Sequence, residues 1–484
     1  MTEPILPGFY PDPTICRVGD DFYLAASSFE YFPAVPIFHS TDLLTWTQLG
    51  HVFDRVDQLD LPAESSGVGG IYAPTLRHHD GLFYLVTTNV STADRGHMIV
   101  TASDPAGPWS DPVFAAGLDG IDPDLTWDAD GSCYLTWSSY APGLEGIAQV
   151  RIDPATGEVL SQPRLLWTGS GLAWPESPHL YRVDDWWYLV IAEGGTERGH
   201  CITVARSREI DGQFVGAPHN PIFSHRSTSD VVQNAGHGDL VQTPGGDWAM
   251  VYLAARVSGI TPGFHVNGRE TFLAGVDWID GWPVVDEARF EVPRSDTGFV
   301  DQFEAPDLHL RWISPGGSAA LWTRQHSSGL ELTAASDGSR RLLAVRTRDG
   351  SWTASARIHS RSGGVRVMVR LDDDHWCAIT ASENEVSATL TIAAGSIELG
   401  RSEVTDAELE LWIRARAPIP AHNAPVGPDM LELGYTQQAT ERVLGVFDGR
   451  YLSTEVAGGF TGRVVGVSPV YGAAVISSFS YGAD

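Results

Sequence analysis

The sequence predicts an all-β protein, a five-bladed β-propeller followed by a β-sandwich, and three observations support this prediction. One short pattern, a polar turn with aromatic residues and an apolar stretch, recurs five times in the first half of the chain. No convincing helical periodicity of any length occurs. From about residue 297 the pattern stops, and alternating polar and apolar runs follow, such as SWTASARIHS and GGVRVMVRLD.

The repeated pattern is typical of a β-hairpin, because a D-G or D-D turn separates two strand-like runs. Its aromatic residues recur at intervals of 50 to 61 residues: Tyr23, Tyr84, Tyr134, Tyr188 and Trp248. Regular recurrence at this spacing indicates stacked or radially arranged units. Five units of four strands each predict a five-bladed propeller, with a solenoid as the alternative.

The length and the end of the repeat indicate two domains. A chain of 484 residues is too long for one ordinary hydrophobic core. The repeat ends in a Pro-punctuated stretch, DWIDGWPVVDEARFEVPRSD. We therefore expect a catalytic propeller over residues 1–296 and a sandwich of two sheets over residues 297–484.

The composition excludes several classes of partner and chemistry. A formal charge of −30 argues against nucleic acid and anionic membranes as partners. All 31 Lys and Arg residues are arginine, which excludes a Walker-type lysine loop and a Schiff-base lysine. The four cysteines form no CxxC pair, and neither a signal peptide nor a long apolar run occurs. We expect a cytoplasmic protein that acts on a neutral partner; its oligomeric state, including a homo-oligomer, stays open.

Polar residues lie 11 or 12 positions before each repeated aromatic residue. They are Asp12, Tyr72, Asp122, Glu176 and His237. The first strand of each propeller blade lines the central channel, so equivalent positions should converge on the axis. Three acids so close together repel one another at a cost in stability, and such a cluster is more often a functional site than an accident. Taken singly, each residue has an ordinary alternative, as the opener of an Asp-Pro turn, an exposed loop acid or a hydrogen-bonded histidine.

Three carboxylates around one pocket suit the cleavage of an acetal. One acid protonates the leaving oxygen, and a second carboxylate activates water on the opposite face of the sugar. The acid needs a raised pKa, which burial and a nearby negative charge both provide. The third carboxylate can supply that charge and orient the acid.

Several motifs resemble those of glycoside hydrolase family 43, the β-xylosidase and α-L-arabinofuranosidase group. They are GFYPDPTICRVGDDFYLAASSFEYFP, GGIYAPTLRHHDGLFYLVTTN, IDPDLTWDADGSCYL, PESPHLY, EGGT, NAGHGDLVQT, GRETFLA and, more weakly, FTGRVVGV. The resemblance implies that Asp12 is the general base, Asp122 tunes and orients the proton donor, and Glu176 is the general acid. It also implies that the sandwich is a concanavalin-like jelly roll.

The same resemblance implies further substrate contacts. The corresponding pocket residues are Phe29, Tyr72, Thr196, His237, Arg269 and, from the sandwich, Phe460. His237 matches a channel histidine that in some relatives lies beside a hydrated cation, often calcium. No cofactor is required, although a structural calcium ion in the channel is compatible with the motif. Tyr72 stands where xylosidase-type relatives commonly have Trp, which leaves the choice between xylose and arabinose open.

The function expected from these features is that of an exo-acting, inverting glycoside hydrolase. It would release terminal pentose from xylan-derived oligosaccharides, as a β-1,4-xylosidase with or without arabinofuranosidase activity. An α-L-arabinofuranosidase on the same scaffold is the main alternative. An invertase-like fructosidase is disfavoured because the WMNDPNG-type opening is absent, and a non-catalytic lectin because the acid set is complete.

Overall fold

Strands form almost all of the regular structure. The computed structural model describes residues 3–62, 66–393, 395–405, 408–418 and 425–483. Within these ranges, the helical segments are three short 3-10 turns at Val90–Arg95, Ala319–Leu321 and Gly449–Leu452, and one α-helix, α1, at Thr454–Ala457. None of the helices in the described part of the chain has the length and apolar character needed to cross a membrane.

Five antiparallel sheets follow one another along the first part of the chain, as predicted, and form the blades of the propeller. Blade 1 contains β1 (Thr14–Val18), β2 (Asp21–Ala25), β4 (Ala34–Ser40) and β5 (Thr47–Phe53), with β3 (Tyr31–Phe32) between β2 and β4. Blade 2 contains β6 (Thr75–His79), β7 (Leu82–Thr87), β8 (His97–Ala102) and β9 (Val113–Ala115). Blade 3 contains β10 (Gly120–Trp127), β11 (Cys133–Ser139), β12 (Gly146–Asp153), β13 (Glu158–Val159) and β14 (Arg164–Trp167). Blade 4 contains β15 (Glu176–Val183), β16 (Trp186–Glu193), β17 (Cys201–Ser207) and β18 (Val215–Gly216). Blade 5 contains β19 (Val232–Gln242), β20 (Trp248–Arg256), β21 (Glu270–Ile279) and β22 (Trp282–Asp286).

The repeated aromatic residues stand on the second strand of each blade and several of them join neighbouring blades. Tyr23 of blade 1 packs against Phe83 of blade 2, with ring centroids 5.0 Å apart. Tyr84 packs against Trp127 of blade 3 at the same distance. These contacts bury aromatic surface between wedge-shaped sheets, which explains why the residue type recurs with the blade.

An ionic cluster on the propeller axis links all five inner strands. The Arg77 guanidinium of β6 lies 2.9 Å from Asp124 of β10 and 2.9 Å from Asp239 of β19, and both carboxylates are fully buried. Asp239 also accepts hydrogen bonds from the Thr14 hydroxyl of β1 and the Tyr181 hydroxyl of β15. Each blade therefore contributes at least one group to this axial cluster, which closes the ring from the inside.

The second domain consists of two antiparallel sheets packed face to face. The larger sheet contains β23 (Phe299–Asp301), β25 (Thr323–His326), β26 (Gly329–Thr333), β28 (Trp352–Arg361), β33 (Leu409–Arg416), β34 (Met430–Gln437), β35 (Thr440–Asp448) and β37 (Ala473–Ala483). The smaller contains β27 (Leu343–Arg346), β29 (Gly364–Arg370), β30 (Trp376–Ser382), β31 (Glu385–Ile392), β32 (Gly395–Glu403) and β36 (Val464–Tyr471). Their inner faces bury alternating residues such as Trp352, Val367, Ile379 and Leu411 in one core.

The two domains share backbone pairing and a buried ion pair. Strand β24 (Ser314–Pro315) pairs with β3 of the propeller, Ser314 opposite Phe32. Arg370 of the sandwich donates to the Glu30 carboxylate at 3.2 Å, and both side chains are fully buried. Helix α1 also lies against the propeller, because the His265 ring donates to the Glu455 carboxylate of α1 at 2.7 Å.

Candidate active site

All nine predicted site residues line a single narrow pocket at one end of the propeller channel. They are Asp12, Phe29, Tyr72, Asp122, Glu176, Thr196, His237, Arg269 and Phe460, and they are joined there by Ala73 and Ile121. Eight come from the propeller, and Phe460 comes from the loop that follows α1 in the sandwich.

Backbone irregularities at the start of the inner strands aim several of these side chains into the pocket. Asp12, Asp122 and His237 have positive φ angles of 55°, 54° and 50°. The pairing of β10 with β11 skips at Asp122, and β15 and β19 have similar bulges. Bulges and left-handed residues cost backbone energy and concentrate at functional sites, where they redirect a side chain.

The predicted equal register of the five residues is wrong in detail. Tyr23 pairs with Cys16 in the β-ladder of blade 1, and Tyr134 pairs with Thr126 in that of blade 3. Asp12 and Asp122 each lie four residues before these ladder partners. In blade 4 that position belongs to Ser177, which has a φ of 57°, and Glu176 precedes it. The spacing counted along the sequence includes the hairpin turn, and the length of this turn differs between blades. Equal spacing in sequence therefore does not give equal positions on the strands. The three side chains still meet in one pocket, because the side chain of Glu176 is longer than that of an aspartate and compensates for the offset.

Asp12 is a buried carboxylate held in its ionised form. Arg269 donates to its Oδ1 at 2.8 Å, and the Ser27 hydroxyl donates to its Oδ2 at 2.6 Å. Burial alone would raise the pKa of Asp12, but the Arg269 guanidinium, His237 and the Ser27 hydrogen bond together hold it below its ordinary value. An ionised carboxylate in a pocket can accept a proton from water, as a general base must.

Glu176 and Asp122 have the opposite electrostatic character. Burial and the negative charge of Asp12 raise the pKa of Glu176 to about 7. Burial and the charge of Glu176 raise the pKa of Asp122 well above its ordinary value, although the Ser177 amide donates to its Oδ2 at 3.1 Å. Two carboxyl groups that disfavour each other's ionisation keep a proton in the site near neutral pH. The pocket thus holds an ionised acid beside a protonated one.

Two neutral histidines flank these carboxyl groups. Burial lowers the pKa of His200 to about 4 and that of His237 to about 3. His200 Nδ1 donates to the Asn234 carbonyl oxygen at 2.9 Å, so its Nε2, which lies 3.8 Å from Glu176 Oε1, carries a lone pair. A neutral imidazole at this distance places no positive charge beside Glu176, so it does not stabilise the carboxylate.

An aromatic wall closes one side of the pocket. Phe29 lies 5.0 Å from Tyr72 and 5.7 Å from Phe460, measured between ring centroids. The Phe460 amide donates to the Gly67 carbonyl oxygen at 2.9 Å, which fixes the sandwich loop on the propeller. Arg269 lies over Phe29 and Phe460 and donates to the Thr196 hydroxyl at 3.0 Å. Rings beside hydrogen-bonding groups suit a sugar, which has apolar faces and a hydroxylated edge.

The residues around His237 do not fit a calcium ion held by side chains. Calcium takes six to eight oxygen ligands. Asp12 lies 3.7 Å from His237 and is already bonded to Arg269, and the centroid of the His179 ring lies 6.4 Å from that of His237. Across the described ranges no group of three or more His, Cys, Asp or Glu side chains is arranged to hold a metal ion. Deeper in the channel, the fixed cation is the guanidinium of Arg77.

Several residues of the site escaped the sequence analysis. Ser27 and His200 contact the acids from positions outside the repeated hairpin pattern. Tyr140 follows the second strand of blade 3, and burial, together with the charges of Asp122 and Glu176, raises its pKa. The run GGTERGHC already holds His200 close to Thr196, and that proximity was the one available signal.

Comparisons with known proteins agree with the geometry. The family model for glycosyl hydrolases family 43 matches residues 1–283, and that for the beta xylosidase C-terminal concanavalin A-like domain matches residues 300–470. A "Xylosidase/arabinosidase" of Butyrivibrio fibrisolvens is 46% identical over 518 residues, covering 96% of this chain and 95% of that protein. The "Non-reducing end alpha-L-arabinofuranosidase BoGH43B" of Bacteroides ovatus is 34% identical, covering 96% and 90%.

Two solved structures are similar over the whole chain. GH43B of the Bacteroides ovatus xyloglucan PUL superimposes with a TM-score of 0.88 at 31% identity, covering 100% of both chains. Xylan beta-1,4-xylosidase from Bacillus halodurans C-125 superimposes with a TM-score of 0.87 at 29% identity, again covering 100% of both chains. The likeness therefore extends through both domains.

Proposed function

This chain belongs to glycosyl hydrolases family 43, and from that membership we propose that it is an exo-acting, inverting β-1,4-xylosidase that also removes α-L-arabinofuranosyl units. As a member of that family it is a glycoside hydrolase. Its proposed substrates are neutral, xylan-derived oligosaccharides, from which it releases one terminal pentose at a time. The roles of individual residues follow from the charges and contacts of the pocket.

Glu176 is the proposed general acid. With a pKa of about 7 it holds its proton near neutral pH and can deliver it when the bond breaks. The proton passes from the Glu176 carboxyl group to the glycosidic oxygen as the bond between that oxygen and the anomeric carbon cleaves. His200 is the proposed positioning residue for this acid, because its lone pair faces Glu176 Oε1.

Asp12 is the proposed general base. Its ionised carboxylate, held by Arg269 and Ser27, would take a proton from a water molecule as the water oxygen attacks the anomeric carbon. Attack from the face opposite the leaving group inverts the configuration and forms no covalent intermediate with the enzyme. After the reaction Asp12 carries a proton and Glu176 does not, and exchange with solvent restores both.

Asp122 is proposed to tune and orient the acid. The negative charge of Glu176 acts on the Asp122 carboxyl group. This carboxyl group also accepts a hydrogen bond from the amide of Ser177, the residue that directly follows the acid. A change in Asp122 would therefore alter both the position of Glu176 and the pH at which it loses its proton.

Exo-action is supported by the closed side of the pocket. Phe29, Tyr72 and Phe460 form a wall, and Arg269 with Thr196 offers hydrogen-bond partners to sugar hydroxyls beside it. A wall at this position leaves room for a terminal sugar and blocks a chain that continues in both directions. It also excludes water from the reacting centre, which strengthens the interactions between charges there.

The dual specificity is supported by the relatives. The protein that is 46% identical is named for both xylosidase and arabinosidase activity. A second candidate, an α-L-arabinofuranosidase without xylosidase activity, is favoured by Tyr72 in place of the Trp common in xylosidases and by the Bacteroides ovatus relative.

The observation that carries the proposal is that one pocket holds both Asp12, bonded to Arg269 and Ser27, and Glu176, whose pKa is raised to about 7 by burial and by the charge of Asp12. A hydrolysis assay with aryl β-D-xyloside, aryl α-L-arabinofuranoside and short xylo-oligosaccharides tests it. We expect turnover of all three, with single xylose units released from the non-reducing end. Turnover of the arabinofuranoside alone would establish the second candidate, and turnover of none would refute both.

We also propose a cytoplasmic location. The four cysteines, Cys16, Cys133, Cys201 and Cys377, are buried and unpaired, which suits a reducing compartment. Fractionation of cells that express the protein, followed by immunodetection in each fraction, tests this; recovery from the medium would contradict it.

A further inference from the structure

A short segment of the sandwich carries Phe460 to the catalytic pocket. Helix α1 (Thr454–Ala457) comes first, and Gly458 and Gly459 follow it with φ angles of 82° and 81°. A Cβ on Gly459 would lie 2.9 Å from the Ser66 carbonyl oxygen, so the chain passes the propeller too closely for a side chain. Two glycines have no side chains that could pack this stretch in place. The position of Phe460 therefore depends on anchors on either side of it.

The anchor after Phe460 is Arg463. Its guanidinium is fully buried and donates to the Asp429 carboxylate at 3.1 Å and to the Leu452 carbonyl oxygen at 2.7 Å. Its backbone amide donates to the Val266 carbonyl oxygen of the propeller at 2.9 Å. A buried polar network whose groups all have partners is rigid, so this end of the segment is fixed.

The anchor before Phe460 is a contact between Glu455 of α1 and His265, which lies in the propeller loop between β20 and β21. His265 donates to one oxygen of the carboxylate from Nδ1 at 2.7 Å and to the other from its backbone amide at 3.0 Å. The Thr454 amide donates in return to the His265 carbonyl oxygen at 3.4 Å. Burial would raise the pKa of Glu455, but the hydrogen bond and charge of His265 hold it below its ordinary value. Hydrogen bonds to an ionised acceptor are stronger than those between neutral groups.

The His265–Glu455 contact lies outside the catalytic pocket but next to residues of its wall. Neither of the two residues lines that pocket. They line the neighbouring cleft between the domains, together with Arg269 and Phe460. Both carboxylate oxygens of Glu455 are already engaged by His265, so this carboxylate is occupied in holding the two domains together. The contact can therefore affect the reaction only through the wall residues beside it.

We propose that His265 and Glu455 are positioning residues: their contact holds α1 on the propeller and so keeps the Phe460 ring in the wall of the catalytic pocket. This inference rests on the proposed function in that the wall encloses the terminal sugar. Without the contact, Gly458 and Gly459 would let the ring move, and the pocket would hold the sugar less well. The expected consequence is a higher KM on short substrates, with kcat less affected.

A double-mutant cycle distinguishes the positioning of Phe460 from any other role of Glu455. The kcat/KM on xylobiose is compared for the wild type, Glu455→Ala, Phe460→Ala and the double variant. We expect Glu455→Ala to lose about threefold to tenfold in the wild-type background, mainly through KM, and less than about twofold in the Phe460→Ala background. Equal losses in both backgrounds, or no loss in the wild-type background, overturn the proposal.

Two conservative variants separate position from charge. Glu455→Gln removes the charge, but its amide group can accept from the His265 backbone amide and donate to Nδ1 of the other ring tautomer. We expect it to keep at least about half of the wild-type kcat/KM, because a glutamine satisfies both partners. Glu455→Asp keeps the charge, but its carboxylate is one methylene shorter, so its loss should approach that of Glu455→Ala. A loss in Glu455→Gln as large as in Glu455→Ala, or none in Glu455→Asp, would mean that charge and not position matters and would overturn the proposal.

The matched control is Glu331→Ala, which removes one acid from another ion pair of the sandwich. Arg324 donates to Glu331 at 2.7 Å between β25 and β26, and neither residue lines the pocket or the cleft. This variant should keep wild-type kinetics, and a loss equal to that of Glu455→Ala would count against a specific role of Glu455. Thermal unfolding of every variant precedes the kinetics. Glu455→Asp takes the place of Glu455→Ala in the cycle if the latter fails to fold.

Hydrogen exchange measured without substrate separates this inference from the proposed function. The Phe460 amide donates to the Gly67 carbonyl oxygen at 2.9 Å, so it should exchange slowly in the wild type. We expect amides of residues 458–463 to exchange at least about tenfold faster in Glu455→Ala, and at the wild-type rate in Glu331→Ala. Faster exchange supports the inference even if no pentoside is hydrolysed. Unchanged exchange overturns the inference and leaves the proposed function intact.

Discussion

Replacing Glu176 with alanine gives the sharpest test of the proposed acid, because its effect depends on the substrate and on pH. The pKa of Glu176 is about 7 in a pocket with Asp12 and Asp122. About nine tenths of the enzyme therefore carries the catalytic proton at pH 6, and about one tenth at pH 8. Because the pKa is raised, activity is present below it and lost as the pH rises through it. We expect kcat/KM on xylobiose to fall about fivefold to tenfold between pH 6 and pH 8.

In Glu176→Ala this fall should disappear, and the remaining rate should depend strongly on the leaving group. General acid catalysis contributes about 10²–10⁴-fold, so we expect a loss of that size on xylobiose. An aryl xyloside with an activated leaving group needs little protonation, so its loss should be at least tenfold smaller. The assay measures initial rates on both substrates from pH 5 to pH 9, with Glu176→Gln as the isosteric control. Equal losses on both substrates, or a basic limb that persists in the variant, would refute the role of Glu176 as proton donor.

Three further substitutions and one metal-removal test give equally distinct results. Asp12→Asn should abolish turnover of activated and poor substrates alike, by at least about 10³-fold, because the water loses its base; a loss confined to poor leaving groups would contradict this. Phe460→Ala should lower kcat/KM about tenfold on short substrates with little change in Tm, whereas a loss of about 3–5 kcal/mol with normal kinetics would mean that Phe460 only packs. Arg77→Met should destabilise the fold by about 3–5 kcal/mol in thermal unfolding, because Asp124 and Asp239 would stay buried without their cation, while the exposed Arg182→Met should not. A chelator should leave both the Tm and the activity of the wild type unchanged, and a clear fall in either would support the channel calcium ion that the family resemblance allows beside His237.

The propeller was predictable because one hairpin recurs five times with strong local signals. The turns Gly19-Asp20, Asp80-Gly81 and Asp184-Asp185 join strands whose pairing starts directly beside them. Such signals are local in sequence, and the aromatic residue that follows each of them reports the packing of one blade on the next. The family resemblance then supplied what spacing could not, namely the pocket residues Thr196, Arg269 and Phe460.

The remaining features depend on contacts that are distant in sequence. The offset of Glu176 by one residue arises from differences in hairpin turns and bulges, which alternation of residue types does not encode. Arg77 lies in an ordinary strand pattern, and its partners are 47 and 162 positions away along the chain. The contact of His200 with Glu176 likewise requires the folded blade. The hydrogen bonds from His265 to Glu455 also join positions 190 residues apart.

The stereochemistry of the first product tests the proposed mechanism, in which Asp12 activates water, Glu176 protonates the leaving oxygen and no covalent intermediate forms. Aryl β-D-xyloside is mixed with the wild-type enzyme at a high concentration, and the anomeric proton signals of the released xylose are followed by NMR before mutarotation. We expect α-xylose as the first product, with β-xylose appearing only at the mutarotation rate. Release of β-xylose first would show retention of configuration and rule out direct attack of water activated by Asp12.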